Sequence, residues 1–442
     1  MDRPARLVVV YGHRSLDAIQ LREAARDWAE LIWLIDRDDQ SAAALVPLLS
    51  RSGPVVQALG LPAIEAAAAL APHEPDGIAT FYDTGLEHIA EIAAVLGLRF
   101  NAPSTALALE DKYAQRMALR AAGRPSPQVV VIPASPDPAT IEGLSRQVAY
   151  PAVLKPRRAS GSWHTFRVDR PAELAAHLHR LEGEPPEERI VEGYLSDGPR
   201  MPKGFEADYV SVESISAGET ITHLAITGRF PLVAPLRETG FFMPSTLEQA
   251  SAETVLKETD AALRALGVRI GCTHTEIKLT AEGPQVIEVN GRIGGGVPEM
   301  LKLATGLDII ALAMRNAVGL DLELESMPEP NGVAYRFFYQ PPPSARRLLT
   351  LSGLEQVSAH PGVDSVRVHH PPGTELDADH GTRTYLLAVV GHAADHAGVL
   401  EAYEHMARSV EAVYEHTPGG DDAPPASPRA HDGRQPGASA ID

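Results

Sequence analysis

Cysteine is almost missing: Cys272 is the only one in 442 residues. No disulfide can form within the chain, and a reducing cytoplasmic setting is the natural expectation. Cys272 itself reads as a small apolar filler rather than a nucleophile. Lysine is scarce too. Only six of the 39 basic residues are lysine, at positions 112, 155, 203, 257, 278 and 302. Where arginine supplies generic charge, each lysine is worth following, because its compact ammonium does what a guanidinium cannot. Long apolar runs are absent. Nothing approaches the roughly 18 residues of a membrane span, and MDRPARLVVVYG is too short a run for a signal peptide and leads into a strand. Positive charge is in deficit: a formal charge of −19 argues against a nucleic-acid partner held by phosphate contacts. No GxGxxG follows Gly12 after the first strand, which argues against a Rossmann oxidoreductase, and no Walker A loop occurs.

What remains is an ordinary globular composition, 44% apolar and 22% charged. Strands at 6–11, 31–36, near 55 and at 77–82 alternate with helices at 17–29, from 41, at 63–70 and at 87–96. This predicts a doubly wound parallel α/β domain over residues 1–103. A helix over 104–123 carries Lys112. Strands at 128–132, 151–155 and 165–168 and helices at 140–147 and 171–181 form a small unit at about 125–195. Its strand PAVLK delivers Lys155, and its loop Ser160-Gly161-Ser162 could cap phosphates with backbone N–H groups. The strand RIVEGYL places Glu192 among apolar neighbours. Strands at 205–215 and 220–226 follow, then a long loop, 227–244, with Arg229, Arg237 and Glu238. A helix at 247–266 precedes the central hairpin and another at 300–318 follows it. From Gly332 the pattern resets into a small α+β module, 331–416, with a closing helix at 393–415. The tail 417–442 holds five prolines and four glycines and is expected to be disordered.

The most informative stretch is CTHTEIKLTAEGPQVIEVNGRIGGGVP, 272–298. Residues 273–280 and 285–290 alternate as strands around a three-residue connection, Ala281-Glu282-Gly283. That loop pairs Thr280 with Pro284, Glu276 with Glu288 and His274 with Asn290. One face then carries His274, Glu276, Lys278, Glu288 and Asn290; the other carries Ile277, Leu279, Ile287 and Val289 as core. Two opposed carboxylates lie ~5 Å apart and repel by about 3 kcal/mol at an effective dielectric near 20. A hard metal, Mg²⁺ or Mn²⁺, would compensate; so would a surface network with Lys278 and His274. Arg292 and the run Gly294–Gly296 beside them add a guanidinium and a backbone open to close approach.

These residues together resemble an ATP-grasp carboxylate–amine ligase, most closely the bacterial L-amino acid ligases that make dipeptides. The resemblance rests on the order of Lys112, Lys155, the Ser-Gly-Ser hairpin, Glu192-Gly193-Tyr194-Leu195 and Glu276, Glu288, Asn290, Arg292 with the glycine run, over roughly residues 1–416. It implies an ATP-grasp fold of mixed α/β and α+β class. Its parts would be the N-terminal doubly wound parallel-sheet domain, a mobile lid within an ATP-grasp domain over 104–330, an antiparallel-sheet core and the C-terminal module. It implies ATP and Mg²⁺ (or Mn²⁺) as cofactors. Lys112, Lys155, Ser160, Gly161 and Ser162 would hold phosphates. Glu192 would meet the adenine amine, backbone at Tyr194 and Leu195 the ring edge, and Glu206 or Asp208 the ribose. Glu276, Glu288 and Asn290 would hold the metal. Lys155 and Arg292 would act in catalysis, Arg292 on the acyl phosphate. His274, Arg229, Glu238, Gly295 and Gly296 would meet the amino acid substrates. Partners are then small molecules, with neither membrane nor nucleic acid, and a homodimer stays open. Two departures stand out: Trp163-His164 in the lid hairpin, and a long stretch from 197 to 204. Rival readings are a ligase for another carboxylate, a carboxylase-type phosphorylation of bicarbonate (no biotin-carrier segment is present), and a silent nucleotide-binding module.

Overall fold

In the computed structural model, residues 3–417 are described apart from 13–14, 83, 197, 199–204 and 325. The expected disordered tail lies outside the described residues, as does most of the stretch from 197 to 204.

The N-terminal run RLVVVY is apolar on both faces, the pattern of a strand covered on both sides. It forms β1 (Ala5–Tyr11), with β2 (Ala29–Ile35), β3 (Val55–Val56) and β4 (Gly77–Thr80) in a parallel sheet of order β3-β2-β1-β4. The helix expected over 17–29 is shorter, Ala18–Ala25, because Ala29 already pairs with Ala5. The lid sheet comprises β5 (Val129–Ile132), β6 (Ala152–Pro156), β7 (Phe166–Val168) and β8 (Arg189–Gly193), ordered β5-β8-β6-β7 and antiparallel.

The central sheet has eight antiparallel strands. They are β9 (Tyr209–Ala217), β10 (Thr220–Arg229), β11 (Gly240–Met243), β12 (Ile270–Thr280), β13 (Gly283–Asn290), β14 (Val333–Tyr339), β16 (Val363–Val368) and β17 (Leu387–Ala393), in the order β13-β12-β9-β10-β11-β14-β17-β16. The sheet runs on past residue 330, so β14, β17 and β16 extend the same layer that holds the central hairpin. A side ribbon joins β15 (Ala345–Ser352) to β18 (Glu411–His416). Phe230, Phe242, Phe337 and Tyr403 interlock at ring distances of 5.0–5.3 Å and fasten the helix His396–Ser409 to the sheet.

Four sequence expectations are corrected. The helix over 104–123 is two helices, Pro103–Glu110 and Lys112–Ala121, because the Asp111 carboxylate accepts from the Tyr113 and Ala114 N–H groups and starts a new helix. The helix over 300–318 is likewise two, Val297–Thr305 and Ile309–Ala317. Gly306 ends the first at φ +77° and Asp308 caps the second. The loop over 227–244 shrinks to 230–239, since Arg229 ends β10 and Gly240 starts β11. The closing helix over 393–415 stops at Ser409. The alternating EAVYEH that follows pairs as β18.

Candidate active site

The lid sheet faces the central sheet across a cleft of about 1100 Å³. Leu16, Phe81 and Tyr82 from the N-terminal part of the chain and Thr382, Arg383 and Tyr385 from the C-terminal part also line it. Every residue singled out from the sequence as a site residue lines it.

The hairpin pairs Glu276 with Glu288 and His274 with Asn290, as the alternation predicts. The turn does not follow the prediction. Thr280 pairs with Gly283 across a two-residue connection, Ala281-Glu282, and Leu279 pairs with Pro284. That would shift the register by one residue and turn the carboxylates onto opposite faces. A bulge between Glu276 and Ile277 on one side, with Ile287 as the extra residue on the other, restores it. Val286 therefore takes the core place expected of Ile287, packing with Ile277 and Val289, and Ile287 lines the cleft instead.

Cations meet these carboxylates. Lys112 Nζ lies 3.1 Å from Glu288 Oε1 and donates to the Ala159 carbonyl at 2.5 Å, bridging hairpin and lid loop. Lys278 turns to Asp208 at 2.7 Å. Lys155 Nζ lies 2.6 Å from Glu192 Oε1, and Arg116 donates to both Glu192 oxygens at 2.7 and 3.0 Å. Burial alone would raise the Glu192 pKa, but Arg116 and Lys155 bring it down to about 2. Glu192, expected to meet an adenine amine, has its carboxylate engaged by these two cations and orients Lys155. Arg116 also donates to the Ile287 carbonyl at 2.5 Å, so it fixes the bulge as well. Its place four residues after Lys112, on the same helix face, was the sequence signal for it.

His274 is buried. Its Nδ1 is 2.6 Å from Glu213 Oε1, and its Nε2 is 3.6 Å from Glu276 and 3.1 Å from an Arg229 nitrogen. Burial disfavours the imidazolium, yet Glu213, with help from Glu276, lifts the pKa to about 9. The protonated ring rests on the two carboxylates; only the neutral ring can accept from Arg229 at Nε2. Burial likewise works against the Glu276 carboxylate, but His274 and Arg229 hold it well below the ordinary carboxylate range. Arg229 pairs with Glu238 and donates to Ser211 Oγ at 3.0 Å, so the two residues expected to grip an amino acid form an ion pair on the cleft wall. The raised His274 pKa adds stability that is complete below its ordinary 6.5 and is lost as pH rises through about 9. The unfolding midpoint of the native chain is expected to fall across that window, and that of Glu213→Gln to fall far less. Parallel curves would show that the pair carries no linkage.

In the lid loop Gly161 and Ser162 take positive φ, +71° and +56°. The C-terminal segment 377–383 covers this loop. His164 N–H donates to the Asp379 carbonyl and Thr382 N–H to the Gly161 carbonyl, both at 2.9 Å, and Trp163 stacks on His380 at 4.5 Å. Trp163-His164, a departure in the sequence, thus has a docking role. A smaller cavity of about 370 Å³ lies between lid and C-terminal region, away from the carboxylates. At Tyr194 the backbone N–H bonds the Pro151 carbonyl at 2.9 Å, and the Arg167 guanidinium and Lys278 ammonium lie 4.5 and 5.4 Å from the ring centre. Glu206 bonds Thr246, and Asp208 accepts from Lys278 and the Gly198 N–H.

The glycine run is a slot. A Cβ at Gly294 would sit 2.6 Å from His274 Nδ1, and one at Gly296 would sit 2.9 Å from the Arg336 side chain, at φ +79°. Gly295 is open, and Arg292 beside it lines the cleft and donates to the Ile293 carbonyl at 3.1 Å.

An ATP-grasp domain model matches residues 148–299. This chain carries an ATP-grasp domain. A second model, L-amino acid ligase C-terminal domain 2, matches residues 337–415. The chain is 32% identical to protein y4rH of Sinorhizobium fredii over 63% of this chain and 56% of that one. It is 26% identical to human carnosine synthase 1 over 58% of this chain and 32% of that one. The match thus spans about half, or less, of these relatives' lengths. The crystal structure of an L-amino acid ligase from Bacillus licheniformis superposes with a TM-score of 0.74 at 20% identity, covering 94% of this chain and all of that one. The ATP-grasp fold expected from the sequence is the fold observed.

ATP-grasp enzymes use ATP and Mg²⁺ in general. Among the described residues no three His, Cys, Asp or Glu side chains converge as a self-sufficient metal site. The ATP-grasp hairpin offers two opposed carboxylates and the Asn290 amide, oxygen donors suited to a hard ion that takes its other ligands from phosphates. No helix among the described residues is long and apolar enough to cross a membrane.

Proposed function

We propose that the chain is an ATP-dependent ligase that activates one amino acid's carboxylate as an acyl phosphate and joins it to the amine of a second. The observation that carries this reading is the opposition of Glu276 and Glu288 in one cleft with Lys112, Lys155 and Arg292. Mg²⁺ or Mn²⁺, held by Glu276, Glu288 and Asn290, would supply charge neutralisation on the phosphate oxygens when bound. Lys112 and Lys155 hold phosphate charge, the second oriented by Glu192, and the Ser160–Ser162 loop covers the phosphates. The Arg229–Glu238 pair presents one charge of each sign to a zwitterion. A carboxylate oxygen attacks the γ-phosphorus and ADP leaves. The acceptor nitrogen then attacks the acyl carbon, the C–O bond breaks, phosphate leaves, and one proton is lost from the amine. Arg292 faces the oxyanion of that second step. The acyl phosphate is prone to hydrolysis, so a lid docked on the C-terminal segment keeps water from it.

Phosphate release from ATP and Mg²⁺, screened over pairs of free amino acids with mass analysis of products, tests this. Release that needs a particular pair, with ADP and a dipeptide mass, is the expected result. ATP binding without release for any pair would overturn the amino-acid ligase reading.

A further inference from the structure

The cleft also holds a cation, Arg336, that the chemistry above leaves unused. Arg336 lies on β14, paired opposite Phe241 of β11. In the sheet order β12-β9-β10-β11-β14, β14 is four strand spacings, ~19 Å, from the strand that carries Glu276. The glycine loop spans this distance. It leaves β13 at Asn290, passes Arg292, and brings Gly296 against the Arg336 side chain, where any Cβ would collide at 2.9 Å.

The Arg336 guanidinium lies 5.6 Å over the Phe338 ring, and its nearest carboxylate, Glu299, is 3.5 Å away. That is long for a charge-assisted hydrogen bond, which runs to about 2.7–2.9 Å. Phe338 stacks on Tyr385 at 4.5 Å and meets Phe241 edge-on at 5.7 Å. The three rings form one apolar wall beside the guanidinium, and all four side chains line the cleft. A planar cation with spare donors beside an aromatic wall is complementary to a carboxylate that carries an apolar substituent.

We infer that Arg336 binds the α-carboxylate of the acceptor amino acid and that Phe241, Phe338 and Tyr385 receive its side chain. The acceptor is then an α-amino acid with an apolar side chain. Its amine points along the glycine loop toward Arg292, where the acyl carbon is attacked. This rests on the ligase reading and adds to it which residues select the second substrate. Arg336 and Phe241 sit on adjacent strands fixed by sheet pairing, and Arg336 is held over the Phe338 ring.

The test compares each free acceptor amino acid with its carboxamide, in the full-length chain, with the donor that supports phosphate release. The native chain is expected to favour the acid over the amide by about 10- to 100-fold in kcat/KM, the worth of hydrogen bonds to a charged group. Leucine, methionine or phenylalanine should outperform aspartate, glutamate and lysine as acceptors. Arg336→Met keeps an unbranched stem over Phe338 and should erase the preference for the acid by raising acceptor KM. Donor KM and ATP KM should stay put, and Arg336→Lys should restore part of the preference. Equal use of acid and amide by the native chain would overturn the inference with no variant needed. So would an Arg336→Met loss that falls on acid and amide alike or on donor KM, or a charged side chain as best acceptor. Absence of release with every pair is a different result: it removes the ligase reading, and this inference with it.

Discussion

Glu288→Gln is expected to lower ATP turnover by about 10²–10³-fold while leaving the fold as stable as before, the loss typical when one preorganised electrostatic group is removed from a transition state. Two opposing effects decide the change in stability. Glu288 faces Glu276 directly across the hairpin, and removing one of two opposed like charges relieves a repulsion. Against that, the buried Lys112 loses its ion pair at 3.1 Å and keeps only its bond to the Ala159 carbonyl. Glutamine has the same shape, so Val286 and Val289 stay packed on the core side. Activity and stability should therefore separate: turnover collapses, and the unfolding midpoint changes little. Steady-state phosphate release and thermal unfolding on the same preparation check this. Turnover near the native level would mean that the hairpin carboxylates do not serve the reaction.

Arg116→Met should do the opposite, losing stability first. Arg116 is buried and is the bidentate partner of Glu192, itself about 5% exposed. Removing one member of a buried ion pair typically costs about 3–5 kcal/mol, because the remaining charge is left uncompensated. Here Lys155 still faces Glu192 at 2.6 Å, which places the expected loss toward the lower end, about 3 kcal/mol. The bulge carbonyl of Ile287 loses its donor as well. The double variant Arg116→Met, Glu192→Gln removes both charges and should recover much of the loss, although Lys155 then loses its anchor and ATP turnover stays low. Denaturant unfolding of the single and double variants measures this directly. A single-variant loss under about 1 kcal/mol would show that the buried pair with Glu192 contributes little to stability.

Much of the site was legible because its residues are close in sequence and regular in pattern. A period of two put His274, Glu276, Glu288 and Asn290 on one face, and the scarcity of lysine singled out Lys112 and Lys155. What failed was local geometry whose effect is set at a distance. The three-residue turn was a reasonable reading of Ala281-Glu282-Gly283. The chain instead combines a tighter turn with a bulge at Ile287, two changes that cancel at Glu276 and Glu288 but exchange Val286 for Ile287 in the core. Asp111 and Asp308 looked like helix residues, and only their bonds to the following N–H groups mark them as caps.

By itself, the sequence determined the alternating elements, the two opposed carboxylates, the two lysines and the glycine run, since each follows from backbone period, side-chain chemistry or the absence of a Cβ. The tertiary structure alone decided who partners whom. It joins Glu192 to Arg116 and Lys155, His274 to Glu213 and Arg229, the lid loop to residues 377–383, and Gly296 to Arg336. The physical reason is that burying a charge demands a partner. The nearest partner in space is set by strand order and loop path, which bring together residues tens to hundreds of positions apart.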